Sequence, residues 1–170
     1  MTGRDAERGT SRTRRYELTR GAGVVRECRD HTQRALSEWF GGAGAPGLTP
    51  VEDALLLVSE VVTNAFAHGG GPYELCLDRA EGRLWVRVSD ASPIRPQPHG
   101  PHRPGRTSGH GLYLLERLAA AWGCVPRKNG KTVWFEVTVL SPEETGPADE
   151  PAPGDGPAPA AERVDRAERR

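Results

Sequence analysis

The sequence predicts an α+β fold in which helices cover one face of a mixed, mostly antiparallel sheet. Three segments show the helical spacing of apolar residues: 24–40, 49–67 and 112–122. Five shorter runs have the composition or alternation of strands: 16–19, 73–77, 84–89, 124–127 and 132–140. The last four runs form two pairs joined by tight turns, so hairpins and helices are separated along the chain. That separation is typical of one layer of helices on one sheet.

The first elements along the chain are an edge strand and an amphipathic helix. Tyr16–Thr19 alternates apolar and polar residues over a short length, which predicts an edge strand. Apolar residues at mostly helical spacing extend over Val24–Phe40, and the glycines of Gly41–Gly47 end that pattern.

The second helix has start and stop signals in the sequence. Thr49 is the predicted N-cap, and Pro50 would occupy the first helical position. The helix should run through Ala67 and stop at Gly69–Gly71, because glycine readily adopts the left-handed conformation of a helix C-cap.

The C-terminal half contains the two hairpins, with a long loop and the third helix between them. A turn around Glu81-Gly82 joins the strands of the first hairpin. Residues 91–108 contain five prolines and no apolar period, and a loop this long inside a domain is usually functional or disordered. Leu112–Trp122 is the third predicted helix, and the second hairpin follows it.

Composition excludes several classes of protein. The chain has 23 basic and 23 acidic residues, which is not typical of a nucleic-acid-binding protein. No apolar run approaches the roughly 20 residues that cross a bilayer, and the Arg-containing start lacks the apolar stretch of a secretory signal. Cys28, Cys76 and Cys124 are odd in number and lack metal-site spacing. We therefore expect a cytoplasmic protein with reduced thiols and no nucleic-acid or membrane partner.

Both ends of the chain differ from its middle. Residues 1–14 are polar, and residues 141–170 contain six prolines and eight acidic residues against four arginines. Segments of this composition bury too little apolar surface to offset their ordering entropy, which predicts disordered tails. The predicted folded domain is 15–140.

One stripe of the second helix carries side chains suited to phosphate chemistry. Glu60, Asn64 and His68 are spaced i, i+4 and i+8, so they lie on the same side of the helix. A solvated polar stripe is one interpretation. The other is that Glu60 acts as a general base beside an Asn64 amide oxygen that binds Mg²⁺, an ion that usually takes one or two protein ligands plus phosphates and water.

Three further segments have a structural and a functional interpretation. Asp90 at a strand end either forms a turn or accepts a hydrogen bond from an exocyclic amine such as adenine N6. Gly109-His110-Gly111-Leu112 at a helix start is either a hinge or an anion-binding turn, since free N–H groups and the helix dipole favour negative charge there. Thr132 belongs either to an ordinary hairpin or to the same pocket.

Together these segments resemble the GHKL ATPase superfamily. An E-x-x-x-N helix, a strand-end Asp, a Pro/Gly-rich loop, a G-x-G-L helix start and a G-K-T strand follow one another across residues 52–138. The run Leu57–Ala65, followed by His68-Gly69, looks like the N-box of the RsbW/SpoIIAB-like anti-sigma factors, which have serine/threonine protein kinase activity.

The resemblance implies a role for each matching position. Glu60 would be the general base, Asn64 the Mg²⁺ ligand and Asp90 the residue that reads adenine. The second glycine box, which holds phosphates, would be Gly109, His110, Gly111 and Leu112. Thr132 would lie near adenine, and residues 91–108 would form the ATP lid. His68 at the end of the N-box and Ser92 in the first glycine box complete the expected nucleotide-binding residues.

The sequence also departs from the family pattern. Ser92 and Ile94 stand where the first glycine box, D-x-G-x-G, has its glycines, and His110 stands where Arg is common. The resemblance implies an ATP–Mg²⁺-binding anti-sigma factor that phosphorylates a STAS-type anti-anti-sigma partner and binds a sigma factor, and a homodimer is among the partner states to test. The departures favour the alternative, a non-catalytic ATP-binding module that sequesters a partner. An ATP-independent scaffold would require the whole series of motifs to be coincidental.

Overall fold

A five-stranded sheet carries three α-helices in the computed structural model, which describes residues 11–19, 21–96 and 110–140. The α-helices are α1 (Val24–Phe40), α2 (Thr49–Gly69) and α3 (His110–Leu118), and a 3₁₀ turn covers Gly41–Gly44. The strands are β1 (Arg12–Glu17), β2 (Pro72–Ala80), β3 (Arg83–Asp90), β4 (Ala121–Arg127) and β5 (Gly130–Thr138). Their order in the sheet is β1-β2-β3-β5-β4.

The α+β prediction is confirmed, with one correction to the sheet. The prediction allowed a mixed sheet, whereas all four strand pairings in the described part of the chain are antiparallel. Each of the two hairpins supplies one antiparallel pairing, and the long connection through α3 returns the chain so that β5 lies antiparallel to β3.

The edge strand begins earlier than the predicted domain. β1 starts at Arg12 rather than at 15 or 16, and it pairs with β2 over its whole length. Arg14 forms an ion pair with Glu38 of α1 and lies over the ring of Trp39. Residues 12–14 therefore belong to the folded domain, while residues 1–10 and 141–170 of the predicted tails lie outside the described residues.

The ends of α2 follow the glycine signal but not the threonine signal. Thr49 is already helical, Leu48 is the N-cap, and no side chain caps this end. The prediction of Thr49 as N-cap is therefore wrong, while Pro50 does lie in the first turn, where a missing N–H costs nothing. At the other end, Gly70 adopts φ 70° and its N–H donates to the Ala65 carbonyl, as expected for a glycine C-cap.

The third helix is shorter than predicted. α3 ends at Leu118, and Trp122 lies on β4, where it pairs with Phe135 of β5. Trp122 packs against the core from the strand, so its apolar character could not distinguish a helical position from a strand position. The turn at Glu81-Gly82 agrees with the prediction, and both residues have positive φ, as a tight hairpin turn requires.

Alternation along the strands gives the sheet two different faces. One face carries buried apolar side chains, among them Leu75, Val86 and Phe135, which join Leu36 of α1 and Leu57 of α2 in one core. In the described ranges no helix covers the other face, which we call the open face. This organisation places the C-terminal end of β3 and the N-terminal end of β5 beside α2 and α3, where the candidate site lies.

Candidate functional site

A cavity of about 500 Å³ lies between α2, α3 and the adjoining ends of β3 and β5. Four of the residues proposed from the sequence line it: Asn64, His68, Asp90 and Leu112. Its remaining walls are mainly apolar and include Val61, Leu115 and Val133. An apolar cleft with a few polar groups has the character of a small-molecule binding site.

The first turn of α3 packs against the polar stripe of α2. Gly111 is buried, and a Cβ atom there would overlap Asn64 Nδ2 and lie 3.3 Å from Glu60 Oε2. A side chain at this position would force the Asn64 side chain to move, so glycine allows α3 to approach the polar stripe closely. Glu60 and Asn64 therefore lie together at the start of α3, although Glu60 itself does not line the cavity.

The floor of the cavity contains a buried ion pair. Lys131 Nζ lies 2.8 Å from Asp90 Oδ1, and the two side chains are only 6% and 2% exposed. The Ser92 N–H donates to the same Asp90 oxygen at 2.8 Å, and Lys131 Nζ also donates to the Ser92 carbonyl at 3.4 Å. Ser92 thus holds the ion pair in place rather than lining the cavity.

Thr132, proposed from the sequence to lie near adenine, is on the open face of the sheet. Its hydroxyl is 2.9 Å from that of Ser89 and accepts a hydrogen bond from Arg127 Nε at 3.1 Å. The placement of Thr132 in the nucleotide pocket is therefore wrong, and Lys131 occupies the cavity instead.

The sequence contained a signal that would have identified Lys131. Val133, Phe135 and Val137 are buried on the helix-covered face, and successive side chains of a strand point to opposite faces. Lys131 has the same parity as these three residues and Thr132 does not. The alternation alone therefore places Lys131 toward α2.

The predicted phosphate-binding turn and lid are only partly described. Leu112 is buried in the cavity wall and His110 is the first residue of α3, while Gly109 lies outside the described residues. Residues 91–96 of the predicted lid have no helix or strand, and Arg95 and Pro96 line the cavity. The rest of the predicted lid, 97–108, lies outside the described residues.

A comparison with protein families accounts for this arrangement. A family model described as the histidine kinase-like ATPase domain matches residues 12–137, from the first residue of β1 to the penultimate residue of β5. The chain belongs to the histidine kinase-like ATPase domain family. The resemblance to the GHKL superfamily is thereby confirmed, and the cavity lies within the matched domain. A comparison with curated proteins found no match.

Two further properties bear on what this ATPase domain binds. No group of three or more His, Cys, Asp or Glu side chains that could hold a metal occurs among the described residues. Mg²⁺, however, usually takes only one or two protein ligands and completes its shell with phosphates and water. Asn64 fits that limited role, since it lines the cavity and its side chain carries an amide oxygen of the type that Mg²⁺ takes as a ligand. Within the described ranges no helix is long and apolar enough to cross a membrane.

Proposed function

We propose that this ATPase domain is an ATP–Mg²⁺-binding regulatory protein of the anti-sigma type. In this proposal it is a cytoplasmic serine/threonine protein kinase that phosphorylates a STAS-type anti-anti-sigma partner. The supporting observation is that both Glu60 and Asn64 lie beside Gly111 in the first turn of α3, where an added Cβ atom would come within 3.3 Å of each side chain. Phosphates bind at the N-termini of helices. In this proposal a carboxylate and an amide would therefore both lie beside the phosphoryl group that is transferred.

The floor of the cavity would hold the base of the nucleotide. Asp90 can accept a hydrogen bond from the exocyclic amine of adenine, and Lys131 can donate one to a ring nitrogen next to that amine. The apolar walls, including Leu115 and Val133, would pack against the ring faces. The triphosphate would then extend toward the start of α3.

Glu60 and Asn64 would divide the work of phosphoryl transfer. Glu60 would accept the proton of the partner's serine hydroxyl as the phosphoryl group is transferred. Asn64 would ligate Mg²⁺ through its amide oxygen. When bound, Mg²⁺ would offset the negative charge of the phosphates, and little further covalent chemistry is required of the protein.

The segment after Asp90 favours the second candidate, a non-catalytic module that sequesters its partner. Ser92 Oγ accepts the Ile94 N–H at 3.2 Å, while the Ser92 backbone is tied to Asp90 and Lys131. Glycines at these positions would give the lid a hinge, whereas these hydrogen bonds fix its first residues. A lid that cannot close would bind ATP without completing the site for transfer.

The replacement of Glu60 by glutamine separates the two candidates. If the protein is a kinase, Glu60→Gln should keep ATP binding by calorimetry and reduce phosphate transfer to a STAS partner by at least about 10²-fold. Glu52→Gln is the matched control, because Glu52 is exposed in the first turn of the same helix. Equal rates for the wild type and Glu60→Gln, or no transfer by either protein, would leave the sequestering module.

The partners follow from the same proposal. A sigma factor would be held by the regulator when no STAS partner is bound, and it would be released when the STAS partner binds. A homodimer would provide two binding sites for sigma factors. Co-purification of the regulator with candidate sigma factors, followed by light scattering of the isolated protein, measures both expectations. Failure to retain any sigma factor would argue against the anti-sigma assignment.

A further inference from the structure

A second, strongly polar recess lies on the open face of the sheet, behind the ATP cavity. Its volume is about 270 Å³, and arginines from three strands surround it: Arg15 of β1, Arg87 of β3 and Arg127 of β4. The recess and the cavity share the same strand ends. Ser89 and Thr132 face the recess, while their neighbours in the chain, Asp90 and Lys131, face the cavity.

Two buried hydroxyl groups form the floor of this polar recess. Ser89 Oγ and Thr132 Oγ1 are 2.9 Å apart, and either can donate to the other. Both side chains are almost inaccessible to solvent, and Arg127 Nε already donates to Thr132 Oγ1. Two hydroxyl hydrogens are present and the pair uses one, so one O–H donor remains available in either arrangement.

Arg87 supplies a second donor without a partner. One of its terminal nitrogens donates to Asp78 at 2.7 Å and to the Cys76 thiol at 3.1 Å. Its Nε atom is buried and has no hydrogen-bond partner among the described residues. Burial acts to lower the pKa of Arg87, but the Asp78 carboxylate and Cys76 outweigh it and raise that pKa, so the guanidinium stays charged. An unpaired buried donor is costly, and because Arg87 lines the recess, an acceptor bound there would lie beside this charged guanidinium.

The charges around the recess leave an excess of positive charge. The three arginines face two carboxylates, those of Glu74 at 3.5 Å from Arg15 and of Asp78 at 2.7 Å from Arg87. Arg127 has no carboxylate partner in the described part of the chain. Glu74 opposes an anion at one side, where Arg15 largely offsets it, while the side toward Arg127 is cationic.

We propose that the polar recess binds the phosphoryl group of a phosphate monoester. A tetrahedral group with three acceptor oxygens and nearly two negative charges matches donors that converge from three strands and from the floor. A carboxylate has two oxygens in one plane and a single charge, so it would satisfy fewer of these donors. This site is separate from the ATP cavity and does not depend on kinase activity.

Tyr73 is the aromatic residue of the recess lining. It lies at a β-bulge where the register of β2 shifts between Pro72 and Glu74, and its side chain lines the recess. Bulges redirect single side chains in this way. Tyr73 is 40% exposed, so this part of the recess lining is accessible from solvent and the group that carries the phosphate can be a small molecule or a phosphorylated serine of a protein.

Site-resolved titration of the full chain tests the proposal. In ¹⁵N-labelled protein, inorganic phosphate and O-phosphoserine should produce saturable shifts of the amide signals of Tyr73, Arg87 and Arg127. The signals of Ala65 and Leu112 in the ATP cavity should not follow the same curve. Acetate at the same concentrations should not saturate these signals. Saturation by acetate as tight as by phosphate, or shifts confined to the ATP cavity, would overturn the proposal.

Variants provide the second test. Arg127→Gln should weaken phosphate binding roughly tenfold or more, since a hydrogen bond to a charged group is lost. Arg34→Gln on α1 is the matched control, because Arg34 is exposed on the helical side of the sheet. Thr132→Val removes one floor hydroxyl at nearly constant volume and should also weaken binding. Equal affinities in Arg127→Gln and Arg34→Gln would refute the site.

The source of the phosphate is decided by comparing probes. A short peptide of alanine and glycine with one central phosphoserine would bind at least tenfold more tightly than inorganic phosphate if the natural ligand is a phosphorylated protein. Equal affinity for phosphate, phosphoserine and this peptide would assign the recess to a small phosphorylated molecule. Either result supports a phosphate monoester site, whereas no saturable binding of any of the three would overturn it.

Discussion

Replacing Lys131 with methionine should destabilise the domain, because it leaves the Asp90 carboxylate buried without its cation. Two unit charges 2.8 Å apart attract each other by about 6 kcal/mol at an effective dielectric constant of about 20. Methionine removes that attraction but also removes the cost of burying the lysine ammonium. Breaking one side of a buried pair usually costs about 3–5 kcal/mol. Asp90 retains the Ser92 N–H, so we expect a loss near the lower end, about 3 kcal/mol.

A double-mutant cycle measures this coupling directly. Urea unfolding followed by tryptophan fluorescence would give the free energy of unfolding for Lys131→Met, Asp90→Asn and the double variant, all without nucleotide. Each single variant leaves one buried charge unpaired, whereas the double variant leaves none. The double variant should therefore be destabilised by clearly less than the sum of the two single variants.

Arg26→Met is the matched control for the loss of a cation. Arg26 lies 3.9 Å from Asp30, and both side chains are largely exposed, so their ion pair contributes little. The urea midpoint of this variant should stay near that of the wild type. If Lys131→Met also kept the wild-type midpoint, or if the two single effects simply added, the pair would be solvated and the description of the cavity floor would be wrong.

The other predictions concern the ATP site, a buried thiol and the N-terminal strand. Asn64→Ala should abolish Mg²⁺-dependent ATP binding in calorimetry without unfolding the domain, and unchanged affinity would refute the ligand role. Gly111→Ala should weaken ATP binding, because its Cβ displaces Asn64, whereas Gly23→Ala has open space and should not. Burial raises the pKa of Cys28 to about 12, so iodoacetamide at pH 8 should modify Cys28 only after unfolding, as mass spectrometry of peptides would show. Deleting residues 1–14 should lower the melting temperature more than deleting 1–10, since only the longer deletion removes Arg14 and its ion pair with Glu38.

Helix α1 shows what the sequence could predict. Its observed bounds equal the predicted ones, Val24–Phe40, because the first and last residues are both buried and glycines flank them on each side. The apolar period and the chain breakers therefore coincide at both ends. Trp122 shows the opposite case, since a helix and a strand both bury it against the core, and only pairing with Phe135 distinguishes them.

The cavity floor could not be read from local patterns alone. A lysine directly after a hairpin glycine is usually solvated, and the family resemblance drew attention to Thr132 instead. The burial of Lys131 depends on its pairing with Asp90 across β3 and β5, two positions separated by 41 residues. Strand alternation gives the face of each side chain, but only the register gives its partner.

The same register has a consequence for function that neither face shows by itself. Ser89 is paired with Thr132 and Asp90 with Lys131, so two consecutive residue pairs of two strands supply the floor of both the cavity and the polar recess. A ligand that displaced one of these strand ends would also displace the polar group that the neighbouring residue presents to the opposite face. Any coupling between ATP and an anion in the recess is reciprocal, so each ligand changes the affinity of the other by the same factor. Antiparallel pairing joins these residues in one ladder, so the paired ends of β3 and β5 are where a calorimetric titration of both ligands would locate such a coupling if one is measured.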